Sequence, residues 1–416
     1  MNKIIISALT ALAISATSLS AMELFVDAKG QVFMTGGKGR VSINSKEAKD
    51  IKENLIAHPE LTAPKKEDTA VFAHASKLKF SGTHYLGFTH KDYKERASNT
   101  HGDSTSAFEM RRNYLQVKAY VLEDPKSYVR VTLDATYDPA KASGKADVIV
   151  KYAYLYLNNI LPATGVELGM VHRPWHDYEQ ATSWYMRSIS KVFMEGTAKF
   201  GSSADLGVNF KTKTNYFTSE VGIFNGEGYG GENDVDSSGD KIYVGDGTSL
   251  EWRTTLAALG NGKKKRKPTK DTFLDASFFG QYNMDNTDNN GETYSFYGLH
   301  AVYNMPSFLV AAQYLTAEND SHEAGEKHFN GDGYSVNMTG RFGNKKQFSI
   351  LGRYDRWESK DLKTDKVVET KDVYIYGAAW QQNKNIKWLA TGETYNLKES
   401  DSEDYTKGMI TAEVKW

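Results

Sequence analysis

Several groups of residues in this 416-residue chain have types and spacings that chemistry uses. Residues 226–231 read GEGYGG and fit G-x-G-x-x-G, whose glycines let a backbone close on a pyrophosphate. That motif binds dinucleotides only between a strand and a helix, and no helical pattern follows here. Asp234, Asp236 and Asp240 are spaced like the start of a calcium loop, yet its twelfth position is Gly245 where a bidentate Glu is needed. His322, Glu323, Glu326 and His328 could gather a metal, but an exposed charged loop is the weightier reading. There is no H-E-x-x-H and no nucleophile with a supporting His, so the sequence points to no enzyme, no cofactor and no metal centre.

The remaining candidates are basic side chains whose chemistry is attraction of anions. Arg130 shares a face with Thr132 and Asp134, opposite Val129, Val131, Leu133 and Ala135, which sets it on the polar side of a strand. Lys118 is six residues from Arg112 and in phase with it. Alternation and proximity add Lys151, Arg173 and Lys191. Arg173 and Lys191 fall in RPWHDYEQATSWYMRSISKVFMEGTAKF, residues 173–200, the longest interruption of the strand pattern that is neither a turn nor a plain solvated loop. It holds Arg173, Arg187, Lys191 and Lys199 against Asp177, Glu179 and Glu195. Its aromatics Trp175, Tyr178, Trp184, Tyr185 and Phe193 could stack solutes, though anchoring the segment is the better reading.

The elements that must position these residues are strands. The chain has 25 Tyr, 19 Phe and 7 Trp with few prolines and a mean hydropathy of -0.55, and past residue 21 no apolar run is long enough for a membrane helix. In YSVNMTGRF, residues 334–342, Tyr334, Val336, Met338, Gly340 and Phe342 take one face, and Ser335, Asn337, Thr339 and Arg341 the other. LEWRTTLAA (250–258) and DASFFGQY (275–282) alternate in the same way. About sixteen such segments run from near residue 71 to near residue 407, and outer-membrane barrels have even strand numbers. Short joints such as Glu123–Lys126, Asn344–Lys346 and Asn383–Asn385 alternate with long polar ones, as periplasmic turns alternate with outer loops. Lipid offers backbone groups no hydrogen bonds, so such strands must close on themselves. Tyr374 and Trp380 are candidates for the interfacial aromatic girdle. The expected fold is all-β: a transmembrane antiparallel β-barrel with an inward-folded constriction loop and a short N-terminal periplasmic segment.

Three domains follow. Residues 1–21 read as a signal peptide with Lys3, an apolar run and Ser20-Ala21 before Met22, although Leu19 leaves cleavage one residue earlier open. Residues 22–70 read as a hairpin turning at Lys29-Gly30, then a helix at about 44–60 capped by Asn44, with a solvated linker as the alternative. Residues 71–416 read as the barrel, ending in KGMITAEVKW, which is similar to the C-terminal strand of bacterial outer-membrane proteins. Removing Lys3 with the signal leaves 50 basic against 52 acidic residues, a formal charge of -2, which gives no reason to expect a nucleic-acid partner. With no cysteine, an exported chain has no disulfide framework. GKKKRKPTK, residues 262–270, is the sharpest charge run, and strand parity places it on the periplasmic side.

FEMRRNYLQVKAY (108–120), KYAYLYLNN with GVELGMVHRPW (151–175), and YMRSISKVFMEG with SSADLGVNF (185–210) together resemble the phosphate-selective porin O/P family, most strongly over about residues 105–225. The resemblance implies a homotrimeric sixteen-stranded porin of a Gram-negative outer membrane, lying in lipid and passing small hydrophilic solutes, preferentially anions such as phosphate. It matches Arg112 to an early-strand arginine and Arg187 to an Arg-Ser pair in the constriction loop. The near-balanced charge of residues 173–200 departs from a strongly anion-selective eyelet. The alternative is a surface barrel with a structural or adhesive role.

Overall fold

The computed structural model describes residues 25–28, 32–33, 36–42, 44, 46, 77–94, 104–136, 147–199, 201–226, 248–284, 294–320, 329–362, 364–398 and 404–416. The expected signal peptide, the Lys29-Gly30 turn, the 70/71 boundary and all but Asn44 and Lys46 of the expected helix lie outside the described residues, as do the candidate calcium and metal residues. The chain divides into two compact units, Met1–Lys79 and Phe80–Trp416. In the first, β1 (Phe25–Asp27) pairs antiparallel with both β2 (Val32–Phe33) and β3 (Arg40–Ser42).

The second unit is a closed sixteen-stranded antiparallel barrel. Its strands are β4 (Leu78–Tyr93), β5 (Thr105–Ala119), β6 (Tyr128–Thr136), β7 (Asp147–Leu161), β8 (Thr164–His172), β9 (Ala204–Lys213), β10 (Phe217–Phe224) and β11 (Ser249–Leu259). They continue as β12 (Phe273–Asn283), β13 (Ser295–Met305), β14 (Phe308–Asp320), β15 (Phe329–Phe342), β16 (Phe348–Asp361), β17 (Val367–Gln381), β18 (Ile386–Lys398) and β19 (Tyr405–Lys415). Each strand pairs with its chain neighbours, and β19 closes on β4 from Tyr405↔Tyr93 to Lys415↔Thr83. Closure leaves no free edge, the condition that lipid imposes on backbone hydrogen bonds.

Alternation decides the two faces. In β13, Tyr297 and Leu299 are exposed outward while Phe296, His300, Val302 and Asn304 are buried inward. In β15, Tyr334, Val336, Met338 and Phe342 point out, and Ser335, Asn337, Thr339 and Arg341 point in. An exposed apolar band of this kind surrounding a polar interior is the signature of a lipid-facing barrel. Tyr374 and Trp380 stand on the outer face, 44% and 43% exposed.

Connections on the β5–β6 side are mostly short, whereas those on the β4–β5 side are mostly long. Pro162-Ala163 alone joins β7 to β8, and Pro306-Ser307 joins β13 to β14. The basic run at 262–270 lies in the β11–β12 connection, on the short-turn side, where parity placed it. The connection after the fifth barrel strand, from β8 to β9, folds into the barrel. It carries α1 (His176–Thr182) and α2 (Phe193–Gly196), both too short to stand without the wall they pack on.

Candidate functional site

One arc of the wall, β5 to β9, carries cations on inward-facing tyrosines. The Arg112 guanidinium is 4.4 Å from the Tyr114 ring centre and 5.4 Å from that of Tyr85. The Lys118 ammonium stands 4.3 Å over Tyr128, and Arg130 4.4 Å over Tyr152. Lys118 and Arg130 face each other across the β5–β6 ladder. These cations sit against ring faces and have no direct carboxylate partner among the described residues, although Asp134, Asp177 and Glu167 lie within electrostatic reach of Arg112, Arg130 and Lys118 in turn.

Two irregularities concentrate this charge. Between β6 and β7 the register passes from Thr132↔Tyr152 to Leu133↔Val150 and skips Lys151, so Lys151 and Tyr152 are both buried while Val148 and Val150 point outward. A bulge of this kind re-aims a side chain at the cost of one ladder position. In β5 the outward residues change from Phe108 and Met110 to Leu115. Arg111 and Arg112 therefore both reach inward, Arg111 donating from Nη2 to Thr411 Oγ1 at 2.7 Å. Lys151, Arg112 and Arg187 lie within electrostatic reach of one another and of Glu195 and Asp134.

The loop is fastened to the opposite arc. Arg173 is buried, donates from Nε to both Glu251 oxygens at 2.8 and 2.9 Å, and reaches Gln281. Arg253 donates to the Pro174 carbonyl at 3.0 Å and pairs with Glu220 at 3.0 Å. Farther along, Arg353 donates to the Lys191 carbonyl at 2.7 Å, and Thr197 donates to Asp355 at 2.6 Å. Within the loop, Arg187 clamps Glu195 at 2.7 and 3.0 Å, and the more exposed Lys191 joins it at 2.9 Å. Burial opposes ionisation of Glu195, but Arg187 and Lys191 hold its carboxyl well below the usual carboxylate range.

Apolar packing completes the attachment. Trp175 stacks on Phe279 with ring centres 3.6 Å apart, and Phe193, Met194 and Ala198 join Phe296, Leu315 and Trp357. Trp184, Met186, Ile189 and Val192 pack on Leu351, Val373, Ile375 and Leu389. Trp175, Trp184 and Phe193 are thus buried anchors, not a stacking surface. Burial pushes His176 down to about 3, so it stays neutral against Gly201. A Cβ at Gly201, whose φ is +69°, would stand 2.9 Å from the His176 ring. Burial also pushes Glu179 up to about 7 despite the nearby Arg353 and its bond from Trp175 Nε1 at 3.0 Å.

Of the residues singled out from sequence, Arg112, Lys118, Arg130 and Lys151 gather on one wall, Arg187 and Lys191 lie on the loop, and Arg173 opens the loop with its charge engaged by Glu251 of β11. Sequence reasoning missed Arg111, because strict alternation turns it outward, and did not select Arg253 or Arg353. Alternation within LEWRTTLAA already carried the signal for Arg253. It also missed His172, whose Nδ1 is 2.9 Å from Glu167 and whose Nε2 is 2.9 Å from both Asp177 and Arg130 Nη1. Among the described residues no group of three or more His, Asp or Glu stands where it could hold a metal.

No protein-family model matches this chain, and no curated protein matches it. Solved structures do. OprB of Pseudomonas putida aligns with a TM-score of 0.58 at 9% identity over 82% of this chain and 95% of its own. An anion-selective porin from Comamonas acidovorans aligns with a TM-score of 0.55 at 13% identity over 82% and 99%. The outer membrane channel DcaP of Acinetobacter baumannii aligns with a TM-score of 0.51 at 11% identity over 82% and 98%. At these identities the likeness is one of fold.

Proposed function

We propose that this barrel is a porin of a bacterial outer membrane, passing small hydrophilic solutes by diffusion and making or breaking no bond. The observation that carries this reading is a closed sixteen-stranded wall with a polar interior and a loop folded inside it. Sixteen strands enclose a lumen wider than side chains alone fill. The fold shared with an anion-selective porin and an outer membrane channel supports the same reading.

The finer proposal is preference for anions, phosphate among them. Arg112, Lys118 and Arg130 on the β5–β6 wall present positive charge, Lys151 is fully buried on β7, Lys191 is the exposed cation of the loop, and Arg187 and Arg173 hold the loop in place. In a narrow, partly desolvated passage the placement of charge outweighs its count. A homotrimer belongs to the proposal through the family resemblance, and the mass of the protein in detergent tests it.

Conductance in planar bilayers tests the whole reading. The wild type should give ohmic steps and a reversal potential of anionic sign in a KCl gradient, reduced in Arg112→Gln and Arg130→Gln. Phosphate should block chloride current. Clear cation preference would refute the anion proposal, and a barrel without ohmic current would instead be a surface structural protein.

A further inference from the structure

His172 closes β8 and immediately precedes the inward loop, so its side chain stands at the loop's root. Charged and polar groups face it from every element packed around it. Glu167 of β8 lies 2.9 Å from Nδ1, and Asp177 of α1 lies 2.9 Å from Nε2. Arg130 of β6 reaches the same Nε2 with Nη1 at 2.9 Å. On β7 the rings of Tyr152 and Tyr154 have their centres 4.3 and 5.3 Å from that of the imidazole. From β9, Asn209 donates to the His172 carbonyl at 2.9 Å, and Lys211 pairs with Glu167 at 3.2 Å and with Glu220 of β10 at 3.1 Å.

The two ring nitrogens are differently placed. Nδ1 meets an acceptor, so it carries a hydrogen and donates to Glu167 in both charge states of the ring. Nε2 meets a donor and an acceptor at once. A guanidinium only donates and an ionised carboxylate only accepts, so one nitrogen cannot serve both. Without a proton Nε2 accepts from Arg130, and Asp177 faces its lone pair. With a proton Nε2 donates to Asp177, and the imidazolium repels Arg130.

We infer that His172 is a positioning residue for the inward loop: a proton taken up at Nε2 transfers its grip from the wall, at Arg130, to the loop, at Asp177. The proton comes from bulk water and returns to it. Arg130 keeps Thr132 Oγ1 at 3.0 Å and the Tyr154 hydroxyl at 3.2 Å in either state, so it loses an acceptor and not its place. Asp177 has only the Tyr152 hydroxyl at 3.4 Å to fall back on. The first turn of α1 is therefore the part that responds. Its bond to the imidazolium is charge-assisted, about twice as strong as a neutral one. Arg173, Arg253 and the aromatic packing do not depend on this proton, so the loop stays inside the barrel in both states. Imidazoles ordinarily change charge between about pH 5 and 8, the range in which the effect is to be sought. The inference rests on the pore reading only for its consequence in current.

The test uses the full chain carrying Glu179→Gln throughout, so that the loop's other proton makes no contribution. Hydrogen-exchange protection across His176–Thr182, taken relative to the intrinsic rate at each pH, should fall as pH rises from about 5 to about 8. Open-channel noise in planar bilayers should rise with the same midpoint. Asp177→Asn should move that midpoint down by about one pH unit and Arg130→Gln should move it up by about one, each unit being a tenfold coupling. His172→Gln, whose amide donates at every pH, should flatten both profiles. A flat profile with His172 present would overturn the switch. So would a midpoint that Asp177→Asn and Arg130→Gln leave in place or move the same way, whether or not His172→Gln folds. A barrel without ohmic current would end the pore reading, and the exchange profile would still decide the switch.

Discussion

The Arg187–Glu195 clamp is the residue whose role differs most from a free anion ligand. Both side chains are buried, 6% and 7% exposed, and they exhaust much of each other's charge. Removing one partner of a buried pair strands the other, at a cost of about 3–5 kcal/mol. Arg187→Ala should therefore loosen the loop before it alters selectivity, seen as noisier and larger single-channel currents with the barrel still resistant to detergent. Glu179 works through protons. Its carboxyl titrates at about 7 in the packed loop against an ordinary 4.5, because burial penalises its charge. Between those values the packed loop holds a proton that a released loop gives up. Docking should thus weaken as pH rises from about 4.5 to about 7 and stay level above. Hydrogen-exchange protection across residues 173–199, taken relative to the base-catalysed intrinsic rate at each pH, should be greater at about pH 5 than at about pH 8. Glu179→Gln should flatten that difference, and an unchanged profile in Glu179→Gln would place the effect elsewhere.

At the scale of elements, the inward loop holds its shape through what it packs on. Neither α1 nor α2 has a side-chain cap at its N-terminus. Phe193 is fully buried between the loop and Trp357, so Phe193→Ala should cost about 3–5 kcal/mol of docking. The expected readout is a wider, less stable conductance with unaltered barrel unfolding. A parallel loss of barrel stability would mean that loop and wall form one cooperative unit. The position of this loop after the fifth strand was legible in the sequence, because an irregular aromatic stretch interrupts a period of two. The two wall irregularities were not. Alternation assigns faces only while the ladder is regular, and nothing local in RRN or VKY states that a residue will be skipped. Arg111 and Lys151 needed coordinates for that reason, and so did the partners of Arg173, which come from strands far along the chain.

The molecule as a whole is specified by its outer surface as much as by its lumen. Leu299 lies near the middle of β13 on the outer face, 61% exposed. Leu299→Arg should destabilise the barrel in bilayers by about 2–4 kcal/mol if that face meets hydrocarbon. Folding yield into lipid vesicles measures this, and a neutral outcome would mean that the band around Leu299 does not face lipid. Strand number, facing and connection sides were readable because membrane burial demands the same alternation in every strand. The bonding of the 262–270 turn was not readable, since its Pro268 carbonyl accepts from Asn304 and Arg341, two and four strands on from β11. Closure has its own consequence in time. The Trp416 indole donates to His84 across 332 positions of sequence, and Trp416 and Gly82 exchange backbone hydrogen bonds beside it. Every other seam of the wall joins consecutive strands and can form locally, but this one waits for the final strand. Until then a growing sheet has two naked edges, each a template for the wrong partner. The rate of assembly should hinge on this single long-range seam, and the risk of aggregation should end when it forms.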